Sequence, residues 1–215
     1  MARSPDIALL TGLWALLAPL TASAGPLGNC PVDSVGVDTS KATEGGEIVL
    51  GMAWGESFTA SDTLIHSVTV WRIAPEYNDS SSVKFWITEV DSSGTPHTHL
   101  VVYDGPTIFV VSPDSTRPTK IEFDFDPPIA LPRPSQYCFW IQEICSGYAD
   151  LLIDKNDDYP GGHLWHTFRS DFDGCILRDY PEAFPSYDLV FTLTFCGRST
   201  PTRTTTWGQL KRLYR

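Results

Sequence analysis

The chain predicts an all-β fold, an antiparallel two-sheet sandwich of the jelly-roll type, and three observations carry that prediction. Apolar and polar residues alternate in short runs rich in β-branched and aromatic side chains, and Gly, Pro, Asp and Ser separate those runs at short intervals. The body also lacks any stretch with the apolar period of an amphipathic helix. A closed barrel is the competing architecture.

Residues 1–24 read as a signal peptide. Arg3 precedes an apolar stretch from Ile7 to Leu20, and Ala22-Ser23-Ala24 offers the small residues a signal peptidase requires. A membrane span needs roughly 20 apolar residues, whereas this stretch is shorter and is interrupted by Thr11, Gly12 and Pro19. An uncleaved anchor is the rival reading. Cleavage before Gly25 leaves 191 of the 215 residues, which suits one domain. Export to a secreted or cell-surface location follows, with residues 25–46 as a lead-in and 47–196 as the sandwich.

The strands expected within that body are Ile48 to Met52, Glu56 to Thr59, Leu64 to Arg72, Val83 to Val90, Leu100 to Tyr103, Ile108 to Val111, Lys120 to Phe125, Gln136 to Ile144, Leu151 to Asp154, Leu164 to Arg169 and Leu189 to Phe195. In the fourth, Val83, Phe85, Ile87 and Glu89 share one face, and Lys84, Trp86, Thr88 and Val90 share the other. Pro127, Pro128, Pro132 and Pro134 exclude a strand between Phe125 and Gln136, because proline cannot donate to a ladder, and make that segment a crossover. Residues 197–206 read as a flexible Ser/Thr/Arg/Pro linker. Residues 207–215 read as a short basic amphipathic helix, opened by the Thr206-x-x-Gln209 capping spacing and presenting Trp207, Leu210 and Tyr214 close to one face. Its expected use is docking to an export or surface component or to the acidic body; a frayed tail is the plainer reading.

Charge separates body from tail. Residues 25–196 hold 9 Lys/Arg against 25 Asp/Glu, net −16, while the last nineteen residues hold Arg198, Arg203, Lys211, Arg212 and Arg215 and no acid. An acidic body without a basic stripe repels phosphate backbones, which argues against nucleic acid as a partner. The five cysteines, Cys30, Cys138, Cys145, Cys175 and Cys196, form no C-x-x-C pair, so in an exported chain they point to disulfides. Cys145 with Cys175 is the first expectation because the two bracket an irregular Gly/Asp-rich excursion, and closing that loop stabilises by about 3 kcal/mol in the chain-entropy model. Cys30 with Cys196 is the second pairing, which leaves Cys138 a buried free thiol.

Chemistry-bearing patterns are sparse. No Gly-x-Ser-x-Gly occurs, so a serine triad is not expected, and paired carboxylates for glycoside cleavage are defined in space and not by spacing. His97 and His99 share a strand face, and with His163 and His166 they form a candidate transition-metal set against the simpler reading of exposed loop histidines. The stretch Asp154-Lys155-Asn156-Asp157-Asp158 resembles the opening of a calcium loop, but Tyr159 stands where the turn glycine belongs and Trp165 where the bidentate acid belongs. An irregular calcium site built from Asp154, Asn156, Asp158, Asp171 and Asp173 is the candidate, and a solvated acidic turn its rival. Trp165, Tyr148, Tyr159 and Tyr180 lie in or beside the same excursion and are the candidate ligand-binding rings, since a flat ring covers the apolar face of a pyranose while carboxylates take its hydroxyls. Packing is the competing use of each tryptophan.

Three stretches carry a family resemblance: Trp54-Gly55-Glu56-Ser57-Phe58-Thr59-Ala60 with Val68-Thr69-Val70-Trp71, then Tyr103-Asp104-Gly105-Pro106-Thr107, then Tyr159-Pro160-Gly161-Gly162-His163-Leu164-Trp165 closing on Asp188-Leu189-Val190-Phe191. Together they are similar to uncharacterised secreted bacterial jelly-roll modules with a carbohydrate-binding-module-like sandwich. The resemblance covers most of residues 47–196 and extends to the Trp207-Gly208-Gln209-Leu210-Lys211 tail, for which it implies a sorting signal. It implies the fold but carries over no catalytic residue. The expected function is a non-catalytic exported binding or surface-interaction module for a glycan or surface partner, with calcium as its one candidate cofactor; the alternative is a polysaccharide-acting hydrolase with paired carboxylates.

Overall fold

A computed structural model describes residues 32–49, 51–60, 62–74, 80–114, 116–144, 148–167 and 181–197. The expected signal peptide, Cys145, Cys175, Asp171, Asp173, Tyr180 and the chain from 198 onward lie outside the described residues, as does Cys30. Thirteen strands are described: β1 (Val32–Gly36), β2 (Glu44–Val49), β3 (Ala53–Thr59), β4 (Leu64–Arg72), β5 (Ser80–Val90), β6 (Pro96–Val111), β7 (Thr119–Ala130), β8 (Gln136–Glu143), β9 (Tyr148–Asp154), β10 (Leu164–Thr167), β11 (Glu182–Phe184), β12 (Asp188–Leu189) and β13 (Phe191–Cys196). A single 3-10 turn, Thr39–Lys41, is capped by the Asp38 carboxylate, which accepts from Ser40 N.

The strands form two antiparallel sheets packed face to face. The seven-stranded sheet runs β1-β13-β4-β9-β12, with β2 added on β9 and β7 on β4; the six-stranded sheet runs β11-β10-β3-β8-β5-β6. No ladder joins one sheet to the other among the described residues, so the chain is a sandwich and the barrel alternative is set aside. The core follows from period-two patterning. Val83, Phe85 and Ile87 of β5, Tyr137, Phe139 and Ile141 of β8, and Val68 and Val70 of β4 point between the sheets with at most 1 % of their surface exposed. Burying each such side chain stabilises the fold by roughly 1.5–3 kcal/mol.

The outward face of the six-stranded sheet carries a second apolar layer, and one register row shows how it is built. Trp165 lies opposite Gly55, Gly55 opposite Trp140, and Trp140 opposite Trp86, so three indoles and one glycine cross four strands. Gly55 is required: a Cβ there would sit 2.5 Å from Trp140 Cε3, which means the Trp140 ring lies over the bare backbone. Each indole N–H finds an acceptor: Trp140 donates to Thr88 Oγ1 at 2.9 Å, Trp86 to Gln142 Oε1 at 2.9 Å and Trp165 to Ser57 Oγ at 3.3 Å. Cys138 packs in the same layer as a buried free thiol, and burial pushes its ionisation up. Cys196 is disulfide-bonded, and every cysteine that remains as its partner lies outside the described residues.

Two expected boundaries are corrected. Leu100–Tyr103 and Ile108–Val111 are one continuous strand, β6, because Asp104-Gly105-Pro106 forms a bulge rather than a turn: Lys84 faces Thr107 and Trp86 faces Asp104, which leaves Gly105 and Pro106 opposite Phe85 alone. β7 likewise runs through Pro127 and Pro128 to Ala130. Ile65 faces Ile129 and Ser67 faces Asp124, so Phe125, Asp126, Pro127 and Pro128 bulge out opposite His66 and the prolines forgo no ladder bond.

Candidate functional site

Of the rings and acids the excursion was expected to display, the structure buries Trp165 and Asp154 and half-buries Tyr159. Trp165 is 6 % exposed, because it belongs to β10 and to the tryptophan row, so its predicted role as an exposed ligand platform is corrected to structure. Tyr159 is half-buried, its ring edge-on to Phe191 at 5.2 Å, and its N–H donates to Asp188 Oδ2 at 2.8 Å. Tyr148 is exposed, but its hydroxyl donates to the Asp150 carboxylate, and that bond pushes the phenol up to about 12. Tyr180 lies outside the described residues.

The candidate calcium ligands form a turn of their own. Asp154 Oδ1 accepts from Asn156 N at 3.2 Å and from Asn156 Nδ2 at 2.7 Å, an Asx turn that folds Asn156 back onto the aspartate. Asp158 pairs with Lys41 at 3.2 Å, and that hydrogen bond holds its carboxyl below the usual range, while burial raises Asp154. Asp171 and Asp173 lie outside the described residues. Among the described residues, no group of three or more His, Cys, Asp or Glu side chains is placed to hold a metal ion. The four-histidine set does not converge: β10, which carries His166, and β6, which carries His97 and His99, are four strand positions apart in one sheet, roughly 19 Å at the usual strand spacing. His166 instead stacks on Trp54 with ring centroids 4.3 Å apart, and burial lowers its pKa to about 4.

Beneath this excursion lies a carboxyl cluster that joins the two sheets. Glu56, from β3, is fully buried and accepts from Leu189 N of β12 through Oε2 at 2.9 Å, while its Oε1 has no partner among the described residues. Asp188, also buried, leaves Oδ1 without a partner. Burial, with the Asp188 and Asp157 charges added, raises Glu56 well above the carboxylate range, and burial with Asp157 and Asp154 brings Asp188 up to about 6. The signal for Glu56 was present in the sequence, since it shares the inward parity of Trp54 and Phe58.

An open cleft lies elsewhere, between the edge strands β6 and β7, and the two bulges build it. It encloses about 610 Å³ and is lined by Val102 to Pro106 of β6 and by Asp124 to Ala130 of β7. That volume falls within the roughly 300–1,000 Å³ of small-molecule sites. Gly105 makes the β6 wall possible, because a Cβ there would lie 2.7 Å from the Phe85 carbonyl oxygen. Tyr103 presents a half-buried ring, held edge-on against Phe125 at 5.6 Å and 81°; Phe125 in turn packs on Phe85 at 5.3 Å. Three acidic residues, Asp104, Asp124 and Asp126, are among the residues that line the cleft. Asp104 binds Lys84 Nζ at 2.6 Å, and that ammonium also sits 3.9 Å over the Trp86 ring. Asp124 and Asp126 are exposed and form no ion pair among the described residues. The arrangement can stack a flat apolar face on Tyr103 and accept hydrogen bonds at its rim. Sequence reasoning quoted Tyr103, Asp104 and Gly105 only for their resemblance, because nothing local shows that β7 comes to face them.

No protein-family model matches the chain, and no curated protein matches its sequence. The residues and their geometry therefore carry the functional reading by themselves.

Proposed function

We propose that the protein is an exported, non-catalytic binding module that holds a saccharide in the β6–β7 cleft. The observation that carries this reading is the Tyr103 ring, buttressed by Phe125, in an open cleft whose lining also includes the hydroxyl acceptors Asp104, Asp124 and Asp126. Export rests on the signal-peptide pattern of residues 1–24. No helix among the described residues is long and apolar enough to cross a membrane. The buried carboxyls Glu56 and Asp188 do not line the cleft, so the acid pair with the most altered ionisation is spent on joining the sheets and not on a substrate.

A glycan array followed by calorimetry tests the reading. Saccharide binding without product release is expected, and Tyr103→Ala should weaken it by about tenfold or more, equivalent to roughly 1.4 kcal/mol. Turnover of a bound glycan, or full affinity in the folded Tyr103→Ala protein, would contradict it.

A further inference from the structure

We propose that the outer edge of β6 pairs with the same edge of a second copy of this chain, so that the six-stranded sheet continues across a two-fold axis. β6 ends its sheet, and among the described residues no strand is bonded to its side away from β5. An unpaired edge is a template for another strand, which proteins blunt with short length, charge, proline or a bulge. β11, at the other end of the sheet, has three residues, and β7 carries Lys120, Glu122, Asp124 and Asp126 at alternate positions before its proline bulge. β6 has its own bulge at Gly105-Pro106, but beyond it Thr107-Ile108-Phe109-Val110-Val111 holds no charge and no proline and is rich in strand formers. This segment is left open. Phe109 is 68 % and Val111 54 % exposed, because their register partners on β5, Ser82 and Ser80, are too short to cover them.

The occupant follows from charge. Residues 25–196 carry a net −16, so a second copy is repelled wherever acid faces acid, and from Gly105 to Pro113 there is none. A two-fold axis through Phe109 sets this uncharged strip against itself: Phe109 faces its own copy, Ile108 faces Val110 and Thr107 faces Val111, each pair on one side of the sheet. Aromatic and β-branched cross-strand pairs of this kind stabilise antiparallel ladders. The acids that flank the strip, Asp104 and Asp114, each have a counter-ion in their own chain, Lys84 at 2.6 Å and Arg117 at 3.9 Å. So short a ladder buries less than the roughly 1,200 Å² of a stable interface, which makes the dimer a dissociable one. Pairing that stops at Thr107 leaves Val102–Pro106 open, so each copy keeps its cleft and the inference stands apart from the saccharide reading.

Sedimentation equilibrium of the full mature chain tests the inference. A monomer–dimer equilibrium with a dissociation constant on the order of 10–100 μM is expected. Phe109→Lys should weaken it at least about tenfold, with an unchanged melt because the ring is mostly exposed, whereas Leu100→Lys on the other half of β6 should leave it unaltered. Phe109→Cys reads the register. Residues directly opposite in an antiparallel pair have Cα atoms roughly 4.5–5.5 Å apart, within disulfide reach, so mild oxidation should give a covalent dimer on a non-reducing gel. A chain that stays monomeric up to about 200 μM overturns the inference. So does a dimer that survives Phe109→Lys, or a Phe109→Cys protein that never cross-links. Hydrogen exchange that finds every amide from Thr107 to Val111 protected in the monomer puts a segment of the same chain on that edge, and overturns it too.

Discussion

Glu56 shows how one residue governs the response of this protein to pH. A carboxyl buried between the sheets is tolerated when it carries its proton and costs stability when it is charged, since among the described residues no cation faces it and its Oε1 has no partner. Both Glu56 and Asp188 have folded-state pKa values above their unfolded ones, from an ordinary 3.8 to about 6 for Asp188 and well above 4.5 for Glu56. Their stabilising contribution is therefore complete below about pH 4 and is lost as pH rises through 6 and beyond. Asp158, lowered by Lys41, acts in the opposite sense and loses its contribution only when the solution is acidified. Glu56→Gln keeps the acceptor for Leu189 N and removes the charge. Thermal melts are expected to show this variant about 2–4 °C or more above wild type at pH 8, a gain of about 1 kcal/mol, with the difference vanishing near pH 4. A pH-independent difference would show that burial of the charge is not the cause. The same residue marks where sequence reading stopped short: Glu56 was read only as the first residue of a strand, and it is the crossing of β12 over β3 that makes it a link between sheets.

At the scale of elements, legibility followed local patterning. β4 was fixed to its exact ends, Leu64 and Arg72, because its alternation is strong and its neighbours are turn residues. β6 was divided at Asp104-Gly105-Pro106 and β7 was stopped before Pro127, in both cases because turn chemistry and proline punctuate a sequence the same way whether the chain reverses or merely bulges. Those two misreadings hid the cleft, which exists only because the bulges face each other. The tryptophan row is the converse case. Trp165 sits beside an acidic loop and suggested display, but its register partner Gly55 leaves room for Trp140, and the indoles pack together across β10, β3, β8 and β5. Trp165→Ala is accordingly expected to cost about 3–5 kcal/mol, the usual loss for emptying a large aromatic site, measured by urea unfolding. Saccharide affinity of the folded fraction should be unchanged. Weakened binding with intact stability would return the excursion to the role of ligand platform.

For the whole molecule, the sandwich was readable from composition and period, because strands with one face toward the core, such as β7 and β13, alternate, while β3, β8 and β10, covered on both faces, read as β through their aromatic and β-branched content. The pairing of sheets, the carboxyl cluster that joins them and the cleft at their open edge were not, since each is made by residues far apart in the chain and brought together by topology. The acidity of residues 25–196 takes on meaning at this scale too. Inside, at Glu56 and Asp188, the carboxyls favour the folded state only while protonated; outside, the exposed acids give the surface a negative potential that disfavours anionic partners. The most direct test of this account is a two-dimensional NMR titration of the isotope-labelled mature chain with the saccharide that binds best on the glycan array. The account predicts that the amide shifts concentrate on Val102–Gly105 of β6 and on Asp124–Asp126 and Ile129–Ala130 of β7; shifts confined to residues 154–167, or none at all, would contradict it.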